Sequence, residues 1–312
     1  MRFFSKYAEM KNILPYIAVV TSMLIWSVSG IAIKFALEVF PPHTMIVVRF
    51  SLSVLLMLVI GLACKGNPLL GLKKIERQDI PVFLLCGLSE PCLYYITETY
   101  AYKALSSPTI AEALLSTSPL LAPLFAFVFL RERVTLWNIA GILVSTAGML
   151  MLVFVGASDF SIGSMWGLPL AFAAVSMAVT YTILLKRIPE KYNPFTTVFY
   201  TQVVALLFFW PLWGFTDGMH AGGLLPADVP ADVWWRACGS IVYLAAFSSV
   251  AAFVMFCYTI RRIGVTRTNA FNNIRPAFTA LFMYLFLAEQ LPAGKLAGIA
   301  LIIAGLFISQ KK

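Results

Sequence analysis

The stretches SPLLAPLFAFVFLRERVTLWNIAGILVSTAGMLML (residues 118–152) and RPAFTALFMYLFLAEQLPAGKLAGIALIIAGLFIS (residues 275–309) are the most informative part of the sequence, because the second repeats the first. Both contain a proline, a later glutamate and a pair of Ala-Gly steps seven residues apart, and these features match at a constant offset of 157 residues. The matched positions are Pro119 and Pro276, Glu132 and Glu289, 140–141 and 297–298, and 147–148 and 304–305. Self-similarity at a fixed offset indicates an internal duplication.

The composition favours a bilayer as the solvent of this chain. Of its 312 residues 60% are apolar and only 12% are charged, whereas soluble proteins carry roughly 25% charged residues. A membrane-spanning helix needs about 20 mostly apolar residues. The chain has ten such runs, at about 14–36, 43–63, 80–102, 108–130, 134–155, 164–185, 195–214, 236–259, 266–288 and 293–310. We therefore expect an all-α polytopic membrane protein of ten transmembrane helices, the first run being a spanning helix rather than a cleaved leader.

The lysines and arginines predict the orientation. If the N-terminus is cytoplasmic, 17 of the 23 lie in inner segments, 3 in outer segments and 3 inside the runs. Cytoplasmic loops carry an excess of Lys and Arg, so both termini are expected in the cytoplasm of a plasma (inner) membrane. Because the basic residues are scattered over six short segments, the net charge of +9 does not indicate a nucleic-acid partner.

The duplication divides the runs into two halves of five, over 13–155 and 163–310. Five is an odd number, so the second half is expected to enter the membrane the opposite way up. Inverted repeats of this kind are typical of secondary transporters, whose site lies at the repeat interface near the bilayer midplane.

These residues resemble a known family. PLLAPLFAFVFLRE and PAFTALFMYLFLAE, each followed by two Ala-Gly steps, are similar to the EamA family of the drug/metabolite transporter superfamily, over roughly residues 13–310. The resemblance implies a ten-helix basket around a central cavity and export of small amphipathic metabolites such as amino acids or drugs. It names no substrate.

Acidic residues interrupt the apolar third run. Glu90 lies ten residues past its start, about 15 Å deep at 1.5 Å per residue. Tyr94 and Glu98 follow at helical spacing on the same face. Charges at membrane depth usually face a bundle interior or a wet cavity. We predict that this stripe lines the cavity, a buried structural Glu being the alternative.

A further acid lies in SPTIAEALLSTSP (residues 107–119). Glu112 either closes a capping box with Thr109 or lies inside the helix on the same face as Ser116. We favour the second arrangement, because Ser107 and Pro108 fit the N-cap and the first helical position. Glu112 and Ser116 are then expected at the cavity.

The counterpart of that segment in the second half is TRTNAFNNIRP (residues 266–276). It supplies amides and a guanidinium, from Asn269, Asn272, Asn273 and Arg275. An unpaired arginine at this depth is costly, so a protein or substrate carboxylate is expected to meet Arg275. A permanent structural salt bridge is the alternative.

Arg49 and Trp26 complete the predicted site. Arg49, six residues into the second run, is another partner for the first-half acids, and Trp26 shares a helical face with Ser22 and Ser29.

His43 is expected to be solvated. Glu132 and Glu289 are expected to stabilise turns, and the Ala-Gly steps to let helices approach closely.

A site with both signs of charge suits a zwitterion, and proton exchange on a glutamate stays open. An organic-cation antiporter, with the glutamates as counter-charges, is the alternative.

The sequence contains no HExxH or GxSxG motif, which disfavours an intramembrane enzyme. The five cysteines have no metal-site spacing, so we expect no metal or cofactor. The expected partners are a small-molecule substrate, protons and the lipid bilayer.

Overall fold

The computed structural model describes residues 2–105, 114–115, 117–155, 165–217, 229–287 and 292–311. The regular elements within these ranges are helices and helical turns. They are α1 (Arg2–Leu37), α2 (Pro42–Ala63), α3 (Ile80–Gly87), α4 (Tyr94–Ala104), α5 (Ser118–Leu130), α6 (Leu136–Phe154), α7 (Gly167–Arg187), α8 (Pro194–Phe215), α9 (Ala231–Tyr243), α10 (Phe253–Ile263), α11 (Val265–Ala270), α12 (Arg275–Leu287) and α13 (Ala293–Ser309). Glu112, Ser116 and Glu289 lie outside the described residues.

The protein is a multi-pass membrane protein. Six helical segments of the described chain are long and apolar enough to cross a bilayer. They are Ile13–Leu37, Pro42–Ala63, Arg77–Ala101, Gly167–Arg187, Pro194–Phe215 and Ala231–Ile263. Each overlaps one of the ten predicted runs. Three shorter apolar helices, at Ser118–Leu130, Leu136–Met151 and Ala293–Ser309, fall in three more.

Three irregular turns interrupt the long helical segments. Two π-helical segments, called the wide turns below, lie at Leu88–Leu93 and Leu244–Ala252 and join α3 to α4 and α9 to α10. A 3₁₀-helical segment, called the tight turn, lies at Phe271–Ile274 and joins α11 to α12. Wide turns of this type are rare inside helices and are often found at functional sites.

The Ala-Gly steps bring α6 and α13 together, as the sequence predicts. A Cβ added to Gly148 would lie 2.6 Å from the Gly298 carbonyl oxygen, and one on Gly305 would lie 2.6 Å from the Gly141 carbonyl oxygen. Only the missing side chains allow the two backbones to approach this closely.

The predicted inner segments meet at one end of the molecule. Lys191 contacts Glu76 at 2.7 Å and Asp79 at 2.8 Å, and these hydrogen bonds raise the pKa of the lysine. Lys186 donates to the Arg261 carbonyl, and Gln310 at the C-terminal end donates to the Arg267 carbonyl. Basic segments that alternate along the chain are thus gathered on one side.

The predicted outer segments meet at the opposite end. Arg236 contacts Glu38 at 2.7 Å, and His43 Nδ1 lies 3.3 Å from Asp217. His43 is only 8% exposed, so the prediction that it is solvated is wrong. The reason is that the start of α2 packs against the end of α8, where Thr44 also binds Asp217.

Candidate functional site

A polar cavity lies inside the helical bundle, between α1, α2, α4, α5, α7, α10, α11, α12 and the irregular turns. Its empty space is about 680 Å³, including the part that opens to solvent. Of the described residues, those that line it are Trp26, Ser29, Gly30, Ile33, Arg49, Glu90, Tyr94, Tyr95, Glu98, Leu115, Ser118, Ala178, Thr182, Ser248, Phe253, Phe256, Asn269, Asn272 and Arg275. Carboxyl, guanidinium, amide, hydroxyl and aromatic groups therefore line one cavity.

Glu90 lies in the first wide turn, not in a continuous helix. Its backbone is extended (φ −145°, ψ 125°) and Pro91, which has no N–H to donate, follows it. The predicted unbroken helical face is therefore wrong at Glu90, and Pro91 was the signal for the break. Glu90 nevertheless lines the cavity together with Tyr94 and Glu98. Its carboxyl group makes no hydrogen bond or ion pair within the described residues.

Tyr94 and Glu98 form a hydrogen-bonded pair on α4. The Tyr94 hydroxyl donates to Glu98 Oε1 at 2.8 Å, one helical turn away. Glu98 is 6% exposed. One predicted acid of the stripe thus has a fixed donor, while Glu90 is left available to a ligand.

Arg49 is held by hydroxyl groups from other helices. Its Nε donates to Ser249 Oγ at 2.8 Å, and its Nη2 donates to Ser248 Oγ and to the Tyr95 hydroxyl, both at 3.0 Å. The guanidinium carbon also lies 4.7 Å from the centre of the Tyr95 ring, within the range of a cation–π contact. The predicted ion pair of Arg49 with Glu98 is absent from the structure; Glu112, its other predicted partner, is outside the described residues.

Ser248 and Ser249 lie in the second wide turn. An offset of 157 residues maps Leu88–Leu93 of the first half onto 245–250, inside Leu244–Ala252. Interrupted segments at corresponding positions of two halves point to the binding site in transporters built from repeats. One interruption supplies Glu90 to the cavity and the other supplies Ser248.

The asparagines of the second half divide between two surfaces. Asn272 donates to Ser118 Oγ at 3.0 Å and to Asn269 Oδ1 at 3.2 Å, and both asparagines line the cavity. Asn273 instead donates to Ser145 on α6 and is fully buried. The cavity assignment of Asn273 is therefore wrong, because the tight turn at Phe271–Ile274 separates neighbouring residues by about 120°.

Arg275 and Trp26 lie together at the cavity, a contact that the sequence did not predict. The guanidinium carbon of Arg275 is 5.8 Å from the centre of the Trp26 ring. Trp26 Nε1 donates to the Ser248 carbonyl at 3.2 Å, and its ring packs edge-on against Phe253 and Phe256. The predicted contact of Arg275 with Glu112 involves a residue outside the described ranges.

Sequence reasoning missed several cavity residues: Tyr95, Ser118, Thr182, Ser248, Phe253 and Phe256. Tyr95 lies in the aromatic run beside Tyr94, and the serine pair at 248–249 interrupts an apolar run. Those two signals were available. Within the described residues, no group of three His, Cys, Asp or Glu side chains is arranged to hold a metal ion.

The family model for EamA-like transporters matches this chain twice, over residues 13–154 and 165–310. The chain belongs to the EamA-like transporter family. This EamA chain is 25% identical over 298 residues to an uncharacterised transporter of Archaeoglobus fulgidus, covering 95% of this chain and 99% of that one. It is 27% identical over 297 residues to a probable terminal-alkyne amino-acid exporter of Streptantibioticus cattleyicolor, covering 95% and 93%.

A solved crystal structure shares the fold of this EamA chain. The TM-score is 0.73 at 21% identity, and the match covers 95% of this chain and 97% of the other. Identity this low establishes the shared architecture of the helices and leaves the substrate to be argued from the cavity.

Proposed function

We propose that this EamA-family chain is a secondary active exporter of small amphipathic metabolites, with zwitterionic amino acids as the preferred class. The observation that carries the proposal is one intramembrane cavity whose wall holds Glu90 and Glu98 together with Arg49 and Arg275. A zwitterion presents a carboxylate and an ammonium group, so it satisfies both signs without leaving a bare charge. The printed name of the Streptantibioticus cattleyicolor relative, a probable amino-acid exporter, points the same way.

The architecture of the proposed transporter is ten spans in two inverted five-helix repeats, over 13–155 and 163–310, with both termini in the cytoplasm of the plasma (inner) membrane. The gathering of the basic loops at one end supports this arrangement. The cavity lies between segments of both halves, where alternating access in such folds takes place. Proton exchange on a cavity glutamate is the proposed coupling.

The aromatic wall favours a second candidate. Trp26, Phe253 and Phe256 pack around the acids, and aromatic faces bind organic cations. An organic-cation or multidrug antiporter would use Glu90 and Glu98 as counter-charges. It would, however, have to accommodate two arginines in the same wall, which repel a cation.

The test is counterflow of radiolabelled amino acids and of a monovalent organic cation, ethidium, into proteoliposomes, with and without a pH gradient. We expect saturable amino-acid counterflow and little ethidium transport. Gly30 lines the cavity and has open space at its Cβ position, so Gly30→Trp should block the flux. Gly239→Trp, also in open space but outside the cavity wall, is the matched control. Ethidium transport without amino-acid transport would favour the antiporter, and transport of neither would overturn both.

A further inference from the structure

Arg49 and the hydroxyl groups around it form a cluster of hydrogen-bond donors within the proposed transport site. Arg49 is 1% exposed, yet it forms no ion pair with a carboxylate anywhere in the described residues. Three hydroxyl oxygens and one aromatic face are its partners. An arginine stays charged at any physiological pH, so a positive charge is held at the cavity with no carboxylate of the described residues in contact with it.

Three donor groups at this position have no acceptor within the described residues. Nη1 makes no hydrogen bond within the described residues, and it is not one of the fully buried polar atoms left without a partner. Because the guanidinium donates to the oxygens of Ser248 and Tyr95, the hydroxyl hydrogens of those residues must point away from Arg49. Neither hydroxyl donates to an acceptor in the described part of the chain, and both side chains line the cavity.

We propose that Arg49 Nη1 and the hydroxyls of Ser248 and Tyr95 form an anion subsite that binds the carboxylate of the substrate. A planar carboxylate fits the guanidinium fork and accepts further hydrogen bonds from hydroxyl groups. The substrate ammonium group then meets the available carboxyl of Glu90, which lines the same cavity. This assignment rests on the proposed zwitterion function and replaces Arg275, which the sequence favoured, as the carboxylate anchor.

The two wide turns supply the anion subsite and the acid of this cavity from corresponding positions of the two halves. The turn at Leu244–Ala252 presents Ser248 beside Arg49, and the turn at Leu88–Leu93, its counterpart in the first half, presents Glu90. The duplicated position thus carries anion-binding groups in one half and a carboxyl group in the other. A substrate with two charges of opposite sign bridges them.

The test uses the amino acid that wild-type protein carries best in counterflow. Its decarboxylated amine and its deaminated carboxylic acid serve as unlabelled competitors, so their own passive permeation does not matter. In wild-type protein the carboxylic acid should compete. In Arg49→Gln the KM of the amino acid should rise on the order of 30-fold, the carboxylic acid should stop competing, and competition by the amine should change less than about threefold.

Controls separate binding from folding. Arg236→Gln makes the same change at an exposed arginine paired with Glu38 and should leave all three probes unaffected. Tyr95→Phe keeps the ring under Arg49 and removes one donor, so it should weaken competition by the carboxylic acid selectively even if Arg49→Gln fails to fold. Size-exclusion profiles in detergent report folding of each variant.

The outcomes distinguish the two proposals. Wild-type protein without saturable amino-acid counterflow would overturn the zwitterion function, and the subsite with it. Wild-type counterflow with equal loss of all three probes in folded Arg49→Gln and Tyr95→Phe would leave the function standing and make Arg49 a structural residue. Selective loss in Arg275→Gln but not in Arg49→Gln would assign the carboxylate to Arg275 and overturn the subsite.

Discussion

The carboxylate of Glu132, two residues past the end of α5, accepts a hydrogen bond from the backbone N–H of Val265, the first residue of α11, at 3.0 Å. Its second oxygen accepts from the backbone N–H and the hydroxyl of Thr266. A first-half acid therefore caps the helix that carries Asn269 to the cavity. A negative charge at a helix N-terminus satisfies unpaired N–H groups and the helix dipole together.

Replacing Glu132 by alanine should destabilise the protein by about 1–2 kcal/mol, because the start of α11 loses its cap. Glu132→Gln, which keeps an acceptor, should lose less. The measurement is the thermal midpoint in detergent together with counterflow in proteoliposomes. Glu190→Ala, at an exposed loop glutamate, is the matched control. Equal thermal midpoints for Glu132→Ala and Glu190→Ala would mean that the cap contributes nothing.

The fold could be predicted further than the site, for physical reasons. Ala-Gly steps and apolar runs are local patterns, and helix packing follows from them directly. Tyr94 and Glu98 share a face for the same reason. The partners of Arg49, by contrast, lie 199 and 200 residues away at Ser248 and Ser249. The helical periodicity of the sequence relates only residues a few positions apart, so it cannot predict this contact.

Asn273 shows a second limit of the sequence. Counting 100° per residue along TRTNAFNNIRP assumes a uniform α-helix, but Phe271–Ile274 forms a tighter turn. Because the rotation per residue is larger in this turn than in an α-helix, Asn272 faces the cavity and Asn273 contacts Ser145. Pro276 and two adjacent asparagines marked the segment as a poor helix former, yet they did not specify which irregular turn would form.

The close packing of α6 on α13 predicts opposite effects at two glycines. A methyl group on Gly148 would lie 2.6 Å from the Gly298 carbonyl oxygen, so Gly148→Ala should lower stability by about 1–3 kcal/mol through overpacking. Gly239, in α9, has nothing within 4 Å of its Cβ position, and Gly239→Ala should raise helix stability by about 0.5–1 kcal/mol. Thermal unfolding in detergent measures both. A Gly148→Ala protein as stable as wild type would contradict the packing argument.

The proposed topology predicts which surfaces a membrane-impermeant maleimide reaches on intact cells. In a cysteine-free background, Ala231→Cys at the start of α9 should be labelled, whereas Lys74→Cys and Glu190→Cys should be labelled only after the membrane is permeabilised. All three positions are exposed, so burial does not account for a difference between them. Labelling of all three in intact cells would contradict the ten-span arrangement, and the reversed pattern would contradict the orientation.

The last prediction concerns coupling, and it follows from the setting of Glu90. This carboxyl is 8% exposed, lines the cavity and has no hydrogen-bond or ion-pair partner among the described residues. A carboxylate without a fixed counter-charge and away from bulk water is neutralised most readily by a proton or by a bound cation. Glu90 can therefore exchange a proton for the substrate ammonium group, whereas Glu98 already accepts a hydrogen bond from Tyr94.

In Glu90→Gln this exchange is lost, so transport should no longer respond to a pH gradient, while slower gradient-independent counterflow persists. Glu38→Gln, which makes the same change outside the cavity at an acid paired with Arg236, should keep the wild-type response. The measurement is amino-acid flux at a series of imposed pH gradients in matched proteoliposomes. If Glu90→Gln responds to the gradient as wild type does, the coupling proton is carried by another group. If wild-type flux ignores the gradient as well, the transporter is not proton-coupled, and Glu90 then serves only to bind the substrate ammonium group.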